Sequence, residues 1–349
     1  MSLFPAPHAA PSDRTTINRI GRFQIVRELG RGALGAVYLG YDPVIDRSVA
    51  IKTFNARTGP GTTKKHEQQF MNEARAAGRL SHPNIVTIFD ASHEGGASYI
   101  AMEYLQGNEL SKLLNTGDRF KPNDVATIIR KIADALDYAH KNGVVHRDIK
   151  PANIFMVGDN EPKVVDFGIA RSPSPLSNQP AQLDQPNTLF HNNLLGTPNY
   201  MSPEQAMGQP VDLRTDIYSL GTVMYEMLAG RKPYKSHDAA QLLQMIVHRD
   251  PPAPHTVDSG IPVALSNIAM KAMSKRIEKR YQHAEEMALE IKRYLSEERR
   301  IRRRKKMGIP TPEQDELQFA VRYRRLLWLS LAMVGTLAIA GISLLLSGR

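Results

Sequence analysis

The sequence predicts an α+β protein of two lobes, a small antiparallel β lobe with one helix and a larger helical lobe, followed by a C-terminal transmembrane helix. Three observations predict it. Short runs rich in Val, Ile, Tyr and Phe fill the first hundred residues, helical periodicity dominates after Gly107, and the 22 residues from Leu326 to Ser347 carry no charge. A chain of 349 residues suits about two domains or one large two-lobed unit. No 20–50-residue repeat is visible.

The first 22 residues hold three prolines without an apolar period, and lack the basic-then-apolar order of a signal peptide; they read as a flexible tail. From Arg22, "RFQIVREL", "AVYLGYD" and "RSVAIKTF" are separated by glycines or by the turn-like "DPVID" and read as three antiparallel strands. "TTKKHEQQFMNEARAAGRL" changes period: Phe70, Ala74 and Ala77 fall on one helical face behind a hydroxyl-rich start. Glu73 shares that inward face and needs a partner, since an unpaired buried carboxylate costs several kcal/mol. "NIVTIFDAS" and "ASYIAMEYL" read as two more strands. "DVATIIRKIADALDYAHKNG" then places apolar residues at 125, 128, 129, 132, 136 and 139 and stops at a glycine.

The chain has no cysteine, which excludes disulfides and thiolate metal sites and suits a reducing compartment. Its net charge of +10 is local: the stretch from Lys292 to Arg325 holds 12 Lys and Arg against 5 Asp and Glu. The body of the protein is close to neutral, so the basic segment needs its own explanation.

"LGRGALGAV" spaces Gly30, Gly32 and Gly35 as GxGxxG between two strand-like runs, where missing Cβ atoms let backbone N–H groups approach a phosphate. A strand rather than a helix follows, which excludes the dinucleotide-binding fold. "VAIK" adds Lys52, for which Glu73 is the available partner. "VVHRDIKPANIF" is more specific. Asp148 is placed to accept or orient the proton of an attacking hydroxyl, Lys150 to neutralise a phosphoryl group in transit, and Asn153 to offer an oxygen to a hard cation. "VVDFGIA" follows 18 residues beyond Asp148 and supplies Asp166 as a second oxygen ligand.

Taken together these motifs resemble the eukaryotic-type Ser/Thr protein kinases, in particular bacterial membrane-anchored members, over roughly Phe23 to Leu295. The resemblance implies the two-lobed protein kinase fold, with ATP and Mg²⁺ or Mn²⁺ as cofactors. It implies that Leu29, Gly30, Arg31, Gly32, Ala33, Leu34, Gly35, Ala36 and Val37 cover the ATP phosphates. Ala50 and Lys52 would meet adenine and phosphates, with Glu73 as the lysine's helix partner. Met102 would be the gatekeeper, Glu103 to Leu105 the hinge, and Asn153 and Asp166 the metal ligands. Asp148 and Lys150 would be catalytic. Glu204 would pair with Arg280, and Asp216 would brace the catalytic loop. Ser202-Pro203-Glu204 departs by one small residue from the usual Ala-Pro-Glu. Lys150 and "GTPNY" favour serine or threonine over tyrosine as acceptor, and "GTPNYMSPE" sets the chain apart from small-molecule phosphotransferases.

Between Gly168 and Ser202 lie 33 residues rich in Pro, Gln and Asn, a composition that predicts a mobile activation segment. The resemblance implies that Arg147 docks a phosphate carried there. The usual position falls on Leu189 to His191, none of which has a hydroxyl to modify, so Thr188 is the nearest candidate.

As a helix, Leu326 to Ser347 would be about 33 Å long, enough for a hydrocarbon core of about 30 Å. Basic residues precede it and only Gly348 and Arg349 follow, so the expectation is a single-pass, tail-anchored cell-membrane protein with a cytoplasmic kinase domain. The basic run would meet anionic headgroups. Nucleic-acid binding is the lesser alternative, since no aromatic interleaving accompanies the charge. The expected domains are a flexible tail (1–22), a small lobe (23–105), a large lobe (106–298), a basic juxtamembrane segment (299–325) and the span (326–347). The expected activity is transfer of phosphate from ATP to protein serine and threonine, autophosphorylation included. A silent kinase fold serving as a membrane scaffold is the alternative, and a homodimer is left open.

Overall fold

Alternation in the early sequence becomes a six-stranded antiparallel sheet in the order β1-β2-β3-β4-β6-β5. Its strands are β1 (Arg19–Ile20), β2 (Phe23–Gly32), β3 (Gly35–Asp42), β4 (Arg47–Phe54), β5 (Ile88–Glu94) and β6 (Ala97–Glu103). This computed structural model describes residues 19–32, 35–54, 70–72, 74–75, 77–94, 97–117, 119–158, 160–167, 198–309 and 323–324. The chain divides into two units, Met1–Lys292 and Arg293–Arg349.

Both faces of the sheet are used. Phe23, Val49, Ile51, Tyr99 and Ala101 pack together on one, with the Phe23 and Tyr99 rings edge to face at 5.9 Å. On the other, Phe54 and Ile100 pack with Phe70 and Ala74, and residues 70–72, 74–75 and 77 are helical as their period predicts. The strands expected from the sequence are all present. Arg19–Ile20, expected in the N-terminal tail, instead pairs with Phe23 and Gln24 across a turn in which Gly21 takes φ +53°, and Ile20 joins the Phe23 cluster. Residues 1–18 lie outside the described residues.

The large lobe opens with β7 (Asn108–Glu109) and α1 (Leu110–Asn115), then α2 (Pro122–Lys141). All six apolar positions read from the α2 sequence are fully buried. The helix stops where Gly143 takes φ +75°, with the Val144 and Gly143 amides donating to Ala139 O and His140 O, a Schellman closure. Next come β8 (Ile154–Met156) and β9 (Pro162–Val164), which form a three-stranded sheet with β7. The remaining helices are α3 (Pro203–Ala206), α4 (Arg214–Ala229), α5 (Ala239–His248), α6 (Pro254–Val257), α7 (Val263–Ala272) and α8 (Ala284–Lys306). α4 is buried nearly all round and forms the centre of the lobe, its buried polar groups Asp216, Ser219 and Thr222 each hydrogen-bonded.

Lys275 ties this lobe together. Its ammonium donates to Tyr218 Oη at 3.1 Å, Tyr234 Oη at 2.7 Å and Ile246 O near the C-terminus of α5. Burial pushes the amine down to about 8. The expected boundary at 298/299 falls inside α8, which continues to Lys306 because Glu, Arg and Lys are good helix formers. It ends in a second Schellman closure, with Gly308 at φ +67° and the Ile309 amide donating to Arg304 O at 3.0 Å. Among the described residues no helix is long and apolar enough to cross a membrane, and 326–347 lies outside them.

Gly35 is constrained by packing. A Cβ there would stand 1.7 Å from Thr53 O, whereas one on Gly30 would meet nothing within 4 Å. Gly35→Ala should therefore destabilise the small lobe by about 2 kcal/mol through forced overpacking, read as a lower urea midpoint. Gly30→Ala, made in parallel, should not lower the midpoint through any such clash.

Candidate active site

The loop between α2 and β8 carries "HRDIKPAN", and a carboxylate from α4 sets its shape. Asp216, fully buried in the first turn of α4, accepts the His146 amide on Oδ2 at 2.8 Å and the Arg147 amide on Oδ1 at 2.7 Å. His140 Nε2 of α2 reaches Oδ2 at 2.9 Å. Bonds to a charged acceptor are worth about 1.5–3 kcal/mol each, enough to hold Arg147 at φ +65°, a left-handed conformation that costs a non-glycine residue about 1–2 kcal/mol.

His146 is a second tie. Its Nδ1 accepts the Asp148 amide at 3.2 Å, so the ring proton sits on Nε2, which donates to Val165 O at 3.0 Å. Its ring also packs on Phe167 at 4.7 Å. The two acid-bearing segments are thereby joined: Asp148 stands on one and Asp166, itself at φ +56°, on the other. Lys150 Nζ donates to Asp148 Oδ2 at 2.7 Å. The Asn153 amide nitrogen donates to Asp148 O at 2.8 Å and to Oδ2 at 3.2 Å, which spends its donors and leaves its carbonyl oxygen as an acceptor.

The small lobe supplies the opposite wall. Val37 lies across from Lys52, and Ala50 lies across from Leu39 on one side and Met102 on the other. Lys52 Nζ meets Asp166 Oδ1 at 2.8 Å, a pair between residues 114 apart in sequence that the sequence reading did not foresee. Burial alone would raise the Asp166 carboxyl, but Lys52, with help from Lys150, outweighs it and holds the group below the usual carboxylate range. Glu73, the partner expected for Lys52, lies outside the described residues, as do Ala33, Leu34 and Thr188 and the activation segment from 168 to 197. Gly30, Arg31 and Gly32 pair with Val37, Ala36 and Gly35 as the turn requires, Leu29 is exposed, and Ala36 is buried.

At the rear of the cleft Glu103 Oε2 accepts from Lys163 Nζ at 2.9 Å and from the Thr87 amide at 3.3 Å, and the Glu103 amide donates to Thr87 O. The C-terminal end of β6, at Glu103, is thus fixed to β9, the strand that leads to Asp166. Neither Lys163 nor Thr87 belongs to a motif, and nothing in the sequence marked them.

A protein kinase domain model matches residues 23–295. The chain belongs to the protein kinase family. Among curated proteins it is 37% identical over 273 residues to the serine/threonine-protein kinase PrkC of Bacillus subtilis, a match covering 78% of this chain and 40% of that protein. It is 39% identical over 284 residues to the serine/threonine-protein kinase Pkn1 of Myxococcus xanthus, covering 79% of this chain and 38% of that one. The chain thus spans about two fifths of the length of these relatives. Among solved structures, the Mycobacterium tuberculosis PknI kinase domain is similar at TM-score 0.59 and 26% identity, over 79% of this chain and 97% of that one.

Two features that the kinase resemblance implied are present as geometry. Asp216 braces the catalytic loop as described, and Glu204 binds Arg280 through two parallel bonds of 2.7 and 2.8 Å, both side chains buried. Burial would raise the Glu204 carboxyl, but Arg280 lowers it by more, and it sits below the usual range. A carboxyl depressed in the folded state contributes stability that is present above its unfolded value, about 4.3, and is lost as pH falls through the folded one. Unfolding midpoints should therefore drop in that acid window. Glu204→Gln should lower the midpoint at pH 7, where breaking a buried pair costs about 3–5 kcal/mol, and should flatten the acid limb.

Proposed function

We propose that the chain transfers the γ-phosphoryl group of ATP to serine and threonine hydroxyls of proteins, its own included, while held at the cytoplasmic face of a membrane. The observation that carries the catalytic part is the Asp148 carboxylate, gripped on Oδ2 by Lys150 and Asn153 and joined through the His146 ring to the segment on which Asp166 pairs with Lys52. Relatives that carry the name serine/threonine-protein kinase support the acceptor class.

The residues fit the nucleotide and the metal. Asn153 presents a carbonyl oxygen whose amide nitrogen is already engaged, and Asp166 remains ionised through the physiological range, so both suit a hard cation such as Mg²⁺ or Mn²⁺. Val37, Ala50 and Met102 offer an apolar wall to a planar base, beside the backbone of Glu103 to Leu105. When bound, the metal supplies neutralisation of phosphate charge. Asp148 orients the acceptor hydroxyl and takes its proton, while Lys150 steadies the Asp148 carboxylate and stands ready for the phosphoryl oxygens. Lys52 positions phosphates. In the full chain, Asp148→Asn should reduce transfer of label from ATP to a casein acceptor by about 100-fold or more, the scale of losing a catalytic base. Equal labelling by wild type and variant would sink the reading, and no labelling by either would favour a scaffold.

Arg147 supports phosphate control of the activation segment. Its Nε is buried and has no hydrogen-bond partner among the described residues, an unmet donor of the kind that a phosphate would satisfy. Thr188 is the proposed carrier.

Support for the membrane part comes from the uncharged 326–347 stretch and the basic residues of α8 ahead of it. The full chain expressed in bacteria should stay with the membrane fraction through carbonate extraction, and replacing Arg299–Lys306 by Gln should not release it. Release of the wild-type chain by carbonate would overturn the span.

A further inference from the structure

Gln205 is the third residue of α3, behind the N-cap Ser202, and its side chain faces two ways. Its Oε1 accepts the Ser202 amide at 3.0 Å while Ser202 Oγ accepts the Gln205 amide at 3.3 Å, a reciprocal cap that accounts for one end of the side chain. The other end leaves the helix. Nε2 donates to Arg147 O at 2.9 Å, across 58 residues of sequence.

That carbonyl belongs to the peptide joining Arg147 to Asp148. The same peptide's N–H, on Asp148, donates to His146 Nδ1 at 3.2 Å. A planar peptide held at its oxygen and at its nitrogen has no rotation left, so the position of the Asp148 Cα, from which the side chain departs, is fixed. The need is real, because Arg147 sits at φ +65° and a carbonyl next to a strained residue would otherwise relax. The anchor is also rigid: Glu204, one residue before Gln205, is bound through both carboxylate oxygens to buried Arg280. Ser202 itself meets Thr215 Oγ1 at 2.5 Å, at the start of the helix whose Asp216 holds the Arg147 amide.

We propose that Gln205 is a positioning residue for phosphoryl transfer: by holding the Arg147 carbonyl it aims the Asp148 carboxylate and ties it to the segment, Pro198 to Ser202, that precedes α3. This rests on the transfer activity proposed above. Gln205 holds a main-chain carbonyl beside Asp148, so its effect is on the turnover of bound substrates rather than on ATP affinity.

Two substitutions in the full chain separate this role from helix capping. Gln205→Glu keeps the acceptor that caps Ser202 but cannot donate to Arg147 O. Gln205→Met is of similar length and loses both. With casein and ATP, both variants should lose about 10-fold in kcat with KM for ATP within about twofold of wild type, as expected when a reacting group is misaimed. Only Gln205→Met should melt earlier. Amide hydrogen exchange over residues 146–149 should quicken in both. The proposal is overturned if Gln205→Glu turns over at the wild-type rate while Gln205→Met does not, because the cap alone would then matter. It is equally overturned if both variants melt earlier by the same amount and KM for ATP rises with the loss of kcat. A wild-type chain that labels no acceptor overturns the activity reading instead, and the exchange measurement still decides whether Gln205 holds the loop.

Discussion

The buried carboxylate of Asp216 accepts three hydrogen bonds, and the geometry around Asp148 descends from them. Two of the donors are consecutive backbone amides, which makes the interaction a constraint on main-chain shape as much as on side chains. With the His146 and Arg147 amides pinned, the His146 ring is set to reach Val165 and Phe167, and the Arg147 carbonyl is set to meet Gln205. An unsatisfied buried amide costs about 1–3 kcal/mol, so loss of the acceptor would be felt twice at once. The carboxylate that organises the chemistry therefore stands outside it.

Two buried or half-buried ion pairs fasten this core to its surroundings. Glu204–Arg280 locks α3 to the stretch after α7, and Glu103–Lys163 locks the end of β6 to β9. Against well-packed apolar residues such pairs contribute little net stability, while breaking one is costly. Their value here is positional. Each fixes a short element that could otherwise slide against its neighbours.

Much of this was legible in the sequence because it depends on short-range pattern. The α2 period at 125, 128, 129, 132, 136 and 139 became a buried stripe, and the close spacing of Asp148, Lys150 and Asn153 became a hydrogen-bonded cluster. The features that were missed are long-range. Lys52 meets Asp166 across 114 residues, Gln205 meets Arg147 across 58, and Lys163 meets Glu103 across 60, and no local period records such pairings. Gly35 shows a subtler failure: the GxGxxG spacing suggested room for phosphate, but this glycine answers to Thr53 O on the neighbouring strand. Arg19–Ile20 was read as tail because two residues are too few to display alternation, and the end of α8 was placed by charge although charged residues prolong helices readily.

The bulges in the large sheet bear on solubility. A sheet with open sides can add strands from another molecule, which makes a straight, apolar outer strand an aggregation hazard. On one side of this sheet β1 covers only the start of β2, and the rest of β2 shifts register between Ile25 and Arg27 and again between Glu28 and Gly30, with Arg27, Glu28 and Arg31 along it. On the other side β5 shifts register between Ile88 and Asp90, where Arg22 pairs with the Asp90 carboxylate. Neither side offers a second chain a regular ladder, so the irregularities that bend the strands also keep copies of the lobe from zipping together during synthesis and folding.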